Sequence, residues 1–151
     1  RDELNDDVLI MDADVLYHDE LLRMLAESNN KNCFLLDKNC DDTGEEMMLF
    51  VRGDNVVGIS KVNSYDCDFK GEGVGFFKLA SSDCHKLKNI LEEFEQAGKG
   101  NVEDEDTLHE LLIQCTAGFE SVDDLPWIEI DFEEDIERAG REILPKIEQC
   151  K

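Results

Sequence analysis

Val8-Leu9-Ile10-Met11-Asp12-Ala13-Asp14 joins four consecutive apolar residues to two carboxylates separated by one alanine. An apolar run without alternation reads as a strand buried on both faces, as in a parallel sheet between layers of helices. In open α/β sheets ligands collect beyond the carboxyl ends of the strands, so Asp12 and Asp14 fall where a site is expected. Side chains alternate along a strand, which places the two carboxylates on one face, roughly 6 to 7 Å apart. That spacing suits one metal ligand with a second acid behind it. The alternative reading makes Asp14 a helix N-cap or turn residue and Asp12 a solvated strand end.

The chain after Asp14 continues in α/β style. Residues Asp19 to Ser28 place Leu21, Leu22 and Leu25 on one face, a short amphipathic helix ended by Asn29-Asn30. Cys33-Phe34-Leu35-Leu36-Asp37 is a second apolar run, followed by the polar loop Lys38 to Gly44. That stretch sets Asp37, Asn39 and Asp41 at alternate positions but lacks the Gly and Glu of a calcium-binding loop, carrying Asp42 and Met48 there. Met47 to Val51 and Val56 to Ser60 flank Arg52-Gly53-Asp54-Asn55, the pattern of an antiparallel hairpin with a four-residue turn. Val74 to Leu79 is a further strand, entered through Gly71-Glu72-Gly73. Its glycines point to close backbone packing, because no helix and no Gly-Lys-Ser/Thr follow.

Helices are expected over Asp83 to Gly98 and Asp106 to Cys115, the second entered through the acidic run Glu103 to Asp106. Phe119 to Val122 and Trp127 to Asp131 read as short strands around Asp123-Asp124-Leu125-Pro126. The last helix, Glu133 to Ile147, should bury Ile136, Ala139, Gly140, Ile143 and Ile147. The fold class that follows is α/β, with a mixed, mainly parallel sheet flanked by helices. Residues 1–151 form a single domain or domain fragment, with no internal repeat and no separating linker.

A chain of 151 residues with 41% hydrophobic content can build a real core. The net charge of -23, from 38 acids against 15 bases, argues against partners that need a basic surface, namely nucleic acid and anionic membrane. It permits divalent cations. Six cysteines without any C-x-x-C spacing make a zinc site of close pairs improbable. With no signal peptide and no apolar run near about 18 residues, the expectation is a soluble, cytoplasmic protein with reduced thiols.

A second apolar strand also ends in an acid, Trp127-Ile128-Glu129-Ile130-Asp131. Two strand ends that each present an Asp can hold one Mg²⁺, which takes one or two carboxylates and completes its octahedron with water and phosphate oxygens. The competing reading of Asp131 is the N-cap of the last helix, and Trp127 reads as core.

Taken together, Leu9-Ile10-Met11-Asp12-Ala13-Asp14, Gly71 to Phe77, Glu105-Asp106-Thr107-Leu108-His109-Glu110-Leu111-Leu112 and Trp127 to Asp135 resemble the nucleotidyltransferases of the sugar-nucleotide (GT-A-like) fold. Within that group the motifs are most similar to cytidylyltransferases acting on phosphocholine, 2-aminoethylphosphonate and comparable small phosphorylated alcohols or phosphonates. The resemblance implies Mg²⁺-dependent transfer of CMP from CTP to such an acceptor with release of pyrophosphate. By position, Asp14 and Asp131 match the metal ligands and catalytic acids, and Asp12 a supporting acid. Glu105 and Asp106 match a pair near the amine or quaternary ammonium, or are simply an acidic helix start. Lys61 falls where a base meets the acceptor phosphate, or is a surface lysine, and Glu72 joins the substrate-binding set.

One family feature is missing: the Gly-rich nucleotide-binding loop similar to Leu-x-Ala-Gly-x-Gly-x-Arg. The resemblance therefore implies the C-terminal portion of such an enzyme, inactive alone, with an N-terminal segment supplied in cis or in trans. Phosphocholine, 2-aminoethylphosphonate, a polyol phosphate and a sugar 1-phosphate are the acceptors expected, in that order. The alternative is a non-catalytic acidic α/β interaction module that retains the fold.

Overall fold

The computed structural model describes residues 4–40, 44, 46–62, 65–98, 104–122 and 124–149. The apolar run Val8–Met11 is strand β1, and the chain bends at Asp12 to Asp14 before β2 (Val15–Tyr17). Helix α1 (Asp19–Glu27) leads to β3 (Cys33–Asp37), and the hairpin strands are β4 (Met48–Arg52) and β5 (Asn55–Ser60). The eleven-residue β6 (Phe69–Leu79) precedes helices α2 (Ser81–Gln96) and α3 (Asp104–Gln114), then strands β7 (Gly118–Ser121) and β8 (Trp127–Glu129). The last helix is α4 (Glu133–Arg138), five π-helical residues Ala139–Ile143, and α5 (Leu144–Gln149).

The main sheet runs β5-β4-β6-β3-β7, with β1 also on β6, and β2 with β8 makes a separate ribbon. Strand β6 is long enough to carry two partners end to end on one edge. Residues 69–72 pair with β4, residues 76–79 pair with β1, and β3 holds the other edge. The junction falls at Gly73-Val74-Gly75, where the amide of Gly73 donates to the Met47 carbonyl (2.8 Å) and the amide of Asp12 to the Gly75 carbonyl (3.0 Å).

Alternation along the strands splits the core in two. Phe34, Leu36, Leu49, Val51 and Phe77 face α2 and α3, meeting Leu87, Ile90 and Leu111, with Phe34 and Phe77 stacked at 4.3 Å. Cys33, Leu35, Val74 and Phe76 face Leu21 and Leu25 of α1. Each such fully buried Leu or Phe contributes about 1.5–3 kcal/mol. Asn32 ties the layers together: its side chain accepts from the Ala80 amide (3.0 Å) and donates to Asp83 (2.9 Å) and to the Thr116 carbonyl (3.0 Å).

The expected mixed α/β class with flanking helices is therefore what the chain adopts. The expectation that the sheet is mainly parallel is corrected: β3 with β7 is the one parallel pair among the described strands, and the others are antiparallel. β1 is likewise not buried on both faces, since Leu9 and Ile10 are 41% and 36% exposed. An apolar run reports affinity for a core but carries no information about strand direction. The hairpin loop is two residues, with Gly53 at φ 58°, tighter than the expected four. In the last helix Ala139 and Ile147 are buried as expected, but Ile136 and Gly140 are exposed. The π-helical residues rotate the register that a uniform 3.6-residue repeat assumes.

Among the described residues no helix is long and apolar enough to cross a membrane. The thiols of Cys33, Cys40, Cys67, Cys84 and Cys115 are free, and Cys150 lies outside the described residues.

Candidate functional site

The β2–β8 ribbon brings the two acid-bearing segments together. Its register sets Val15 opposite Glu129, and the Ile130 amide donates to the Asp14 carbonyl (2.9 Å). The carboxylate oxygens of Asp14, Glu129 and Asp131 consequently lie within 4.8 Å of one another, all three residues exposed. Neither Asp14 nor Asp131 is a helix N-cap, since that of α1 is His18 and that of α4 is Phe132, but Asp14 is a turn residue and Asp12 an exposed residue at the end of β1, as the alternative reading has it. The sequence pattern alone does not single out Glu129. A signal is nonetheless present, because Glu129 and Asp131 are two apart on an extended segment and so share a side.

Asp12 and Asp14 do not share one strand face. The strand ends at Met11, and after the bend Asp12 lines a cavity while Asp14 joins Glu129 and Asp131. Asp12 lies over Gly75, whose φ of 77° leaves no room for a side chain: a Cβ there would collide with the Asp12 carboxylate. Asp12 thereby lines a cavity of about 310 Å³ in the notch where β1 and β4 meet on β6. Phe34, Phe77 and Leu87 are among its apolar lining; Asp12, Lys61, Thr107, Glu129 and Asp131 supply its polar groups. That size and mixture of apolar wall with few polar groups suit a small ligand. Asp14 is not among the lining residues and joins the cavity through its neighbours Glu129 and Asp131.

Electrostatics couple these groups. Partial desolvation of its carboxyl raises the Glu129 pKa from its ordinary value, and the negative charges of Asp131, Asp14 and Asp12 raise it further, while Lys61 lowers it. A divalent cation held there would offset that like-charge crowding. Hard carboxylate oxygens on an open surface, with room for water and phosphate, are the donor set Mg²⁺ prefers, so the residues fit that ion. Glu72 belongs to a second acidic group. Burial, with Glu46, Asp37 and Glu129 nearby, pushes its pKa up to about 7, and Arg138 opposes the rise. Asp37 of that group accepts from Trp127 Nε1 (2.8 Å), which makes Trp127 a half-buried bridge between β8 and β3.

Of the remaining residues singled out in the sequence, Lys61 is exposed and in the cavity wall, and Glu72 is outside the lining set. Asp106 is exposed on α3 and does not line the cavity, whereas its neighbours Thr107 and Leu108 do. Glu105 falls within α3, with its side chain outside the described residues.

No family model matches the sequence, and no curated protein is significantly similar to it. Solved structures do match. The inositol-1-phosphate CTP transferase of T. maritima superposes with a TM-score of 0.71 at 17% identity, over 95% of this chain and 57% of that one. A protein designated a glucose-1-phosphate thymidylyltransferase, from Bacillus anthracis and crystallised with sucrose, gives 0.66 at 14% identity, over 89% of this chain and 53% of that one. The chain therefore has the fold of these nucleotidyltransferases and spans a little over half of their length.

Proposed function

We propose that the chain is the metal- and acceptor-binding portion of a Mg²⁺-dependent cytidylyltransferase that transfers CMP from CTP to a small phosphorylated alcohol or phosphonate. The observation that carries this reading is the Asp14–Glu129–Asp131 cluster at a cavity whose wall presents Lys61, set in a fold shared with nucleotidyltransferases. In the reaction a phosphate or phosphonate oxygen of the acceptor attacks the α-phosphorus of CTP, and the bond to the β-phosphate breaks to release pyrophosphate. Asp14 and Asp131, supported by Glu129, would hold Mg²⁺, which when bound offsets triphosphate charge and favours in-line attack. Lys61 binds the acceptor phosphate, and Asp12, held over Gly75, faces its polar body. The first turn of α3, with Glu105, Asp106 and Thr107, and the Glu72 group are assigned to the far end of the acceptor, where carboxylates suit an amine or hydroxyls. The matched CTP transferase names inositol 1-phosphate, so a polyol phosphate stands beside phosphocholine and 2-aminoethylphosphonate.

One observation favours a second reading for the chain in isolation. Among the described residues Lys61 is the one basic side chain lining the cavity, so a triphosphate needs cations and backbone donors from a further segment, in cis or in trans. An acidic module that binds metal or acceptor without turnover follows if no such segment exists. The test is pyrophosphate release by the full-length gene product with Mg²⁺ and CTP across phosphocholine, 2-aminoethylphosphonate and inositol 1-phosphate. Release with one acceptor, abolished by Asp14→Ala, is expected. Silence across the panel from folded protein, or turnover unchanged in Asp14→Ala, overturns the enzyme reading.

A further inference from the structure

Between β8 and α4 three consecutive peptide N–H groups are fixed by two acids. The Ile130 amide donates to the Asp14 carbonyl at 2.9 Å. The next two, those of Asp131 and Phe132, both donate to Asp135 Oδ2, at 3.3 and 2.9 Å. The Asp135 amide returns a bond to the Phe132 carbonyl at 3.1 Å. The segment carrying Asp131 is thus pinned on one side by the main chain of Asp14, in the bend just before β2, and on the other by the first turn of α4. Its neighbours Glu133 and Glu134 are exposed, whereas Asp135 is half-buried.

We infer that Asp135 is a positioning residue for Asp131, an inference that rests on the metal reading above. The spacing is that of a capping box, which ordinarily only satisfies orphan amides at a helix start. Here one of the two bonded amides is that of a proposed ligand. Fixing it sets the Cα from which the Asp131 carboxylate projects, before any cation arrives. Two N–H donors on one oxygen also offset part of the Asp135 charge, so the clamp is not another ligand competing for the ion. Partners that orient a metal ligand in this way commonly change affinity by about 10- to 100-fold when removed.

The test uses the 151-residue chain with Mn²⁺ as the probe, its binding read by electron paramagnetic resonance of the free ion and folding by far-UV circular dichroism. Asp131→Asn should abolish tight binding, and Asp135→Ala should raise Kd about tenfold or more. Asp135→Asn keeps an acceptor oxygen and should stay within about threefold of wild type. Glu134→Gln, which removes the same charge from the adjacent exposed position, should match wild type. If Asp135→Ala does not fold, Asp135→Glu, which displaces the acceptor by one methylene, takes its place with the same expected loss. A wild-type Kd in Asp135→Ala alongside a lowered melting temperature makes Asp135 a helix cap and nothing more. Equal losses in Asp135→Ala and Glu134→Gln reduce the effect to net charge, which also overturns the inference. Wild-type binding by Asp131→Asn would instead overturn the metal reading itself.

Discussion

Replacing Glu72 by Gln should stabilise the protein, and more so as the pH rises. Burial and the carboxylates of Glu46, Asp37 and Glu129 raise the Glu72 pKa from 4.5 to about 7. Between those values the folded chain holds a proton that the unfolded chain has released, so the stability contribution of Glu72 falls as the pH climbs and is lowest above about 7. Full shielding would make this about 3 kcal/mol, from roughly 1.4 kcal/mol per pH unit. Because Glu72 is only partly shielded from water, screening reduces the figure to about 1.5 kcal/mol. At pH 5, close to the unfolded value, about a quarter of that is left. Glu72→Gln, which keeps the shape and loses the charge, should therefore raise Tm by about 3–6 °C at pH 8 and by about 1 °C at pH 5. Thermal unfolding followed by circular dichroism at both pH values reads this directly, with pH 5 kept above the isoelectric point of about 4.2. An equal shift at both pH values, or a destabilisation at pH 8, would refute the assignment of the raised pKa to like-charge crowding under burial.

Other substitutions test separate parts of the structure. Asn32→Ala leaves the Ala80 amide and the Thr116 carbonyl without their side-chain partner and should cost about 2–3 kcal/mol in denaturant unfolding. Gly75→Ala meets both a positive φ and the Asp12 carboxylate, while Gly98→Ala meets a positive φ with open space around it. The first should therefore destabilise by about 1–3 kcal/mol more than the second, and equal costs would remove the Asp12 contact from the account. In the full-length gene product Lys61→Met should raise the acceptor KM about tenfold with the CTP KM nearly unchanged, a split that steady-state kinetics resolves.

The local elements were legible because local periodicity records them. Leu21 and Leu25 did mark the buried face of α1, the run Cys33 to Asp37 did form a strand, and the acids at 14 and 131 did converge. What the periodicity does not encode is pairing. Val8 to Met11 is as apolar as a central parallel strand but lies antiparallel to β6 with Leu9 and Ile10 partly in solvent. Ile136 fits a 3.6-residue stripe until the π-helical residues break it. At the site, the sequence places Asp12 and Asp14 on one strand face, but a bend of three residues sets Asp12 in the cavity wall and Asp14 in the acidic cluster with Glu129 and Asp131. Glu129 and Asp135 are not marked by the sequence for the opposite reason: in a chain this acidic, one more carboxylate does not stand out until a hydrogen bond or a cluster singles it out.

The end-to-end meeting of β1 and β4 on β6 has a mechanical consequence. A continuous strand would transmit load along its own backbone, but here the edge is spliced from two segments that share no peptide bond and no ladder with each other. The hairpin, with Lys61 just beyond its end, is held to β6 by the β4 ladder and the Gly73–Met47 bond, and the segment carrying Asp12 by the β1 ladder and the Asp12–Gly75 bond, so each reaches the other through β6. A molecule seated in the notch touches both sides of the splice at once. Occupancy should lock the hairpin to the acid-bearing bend, and amide exchange across Met47 to Leu49 and at Asp12 would slow together as the notch fills.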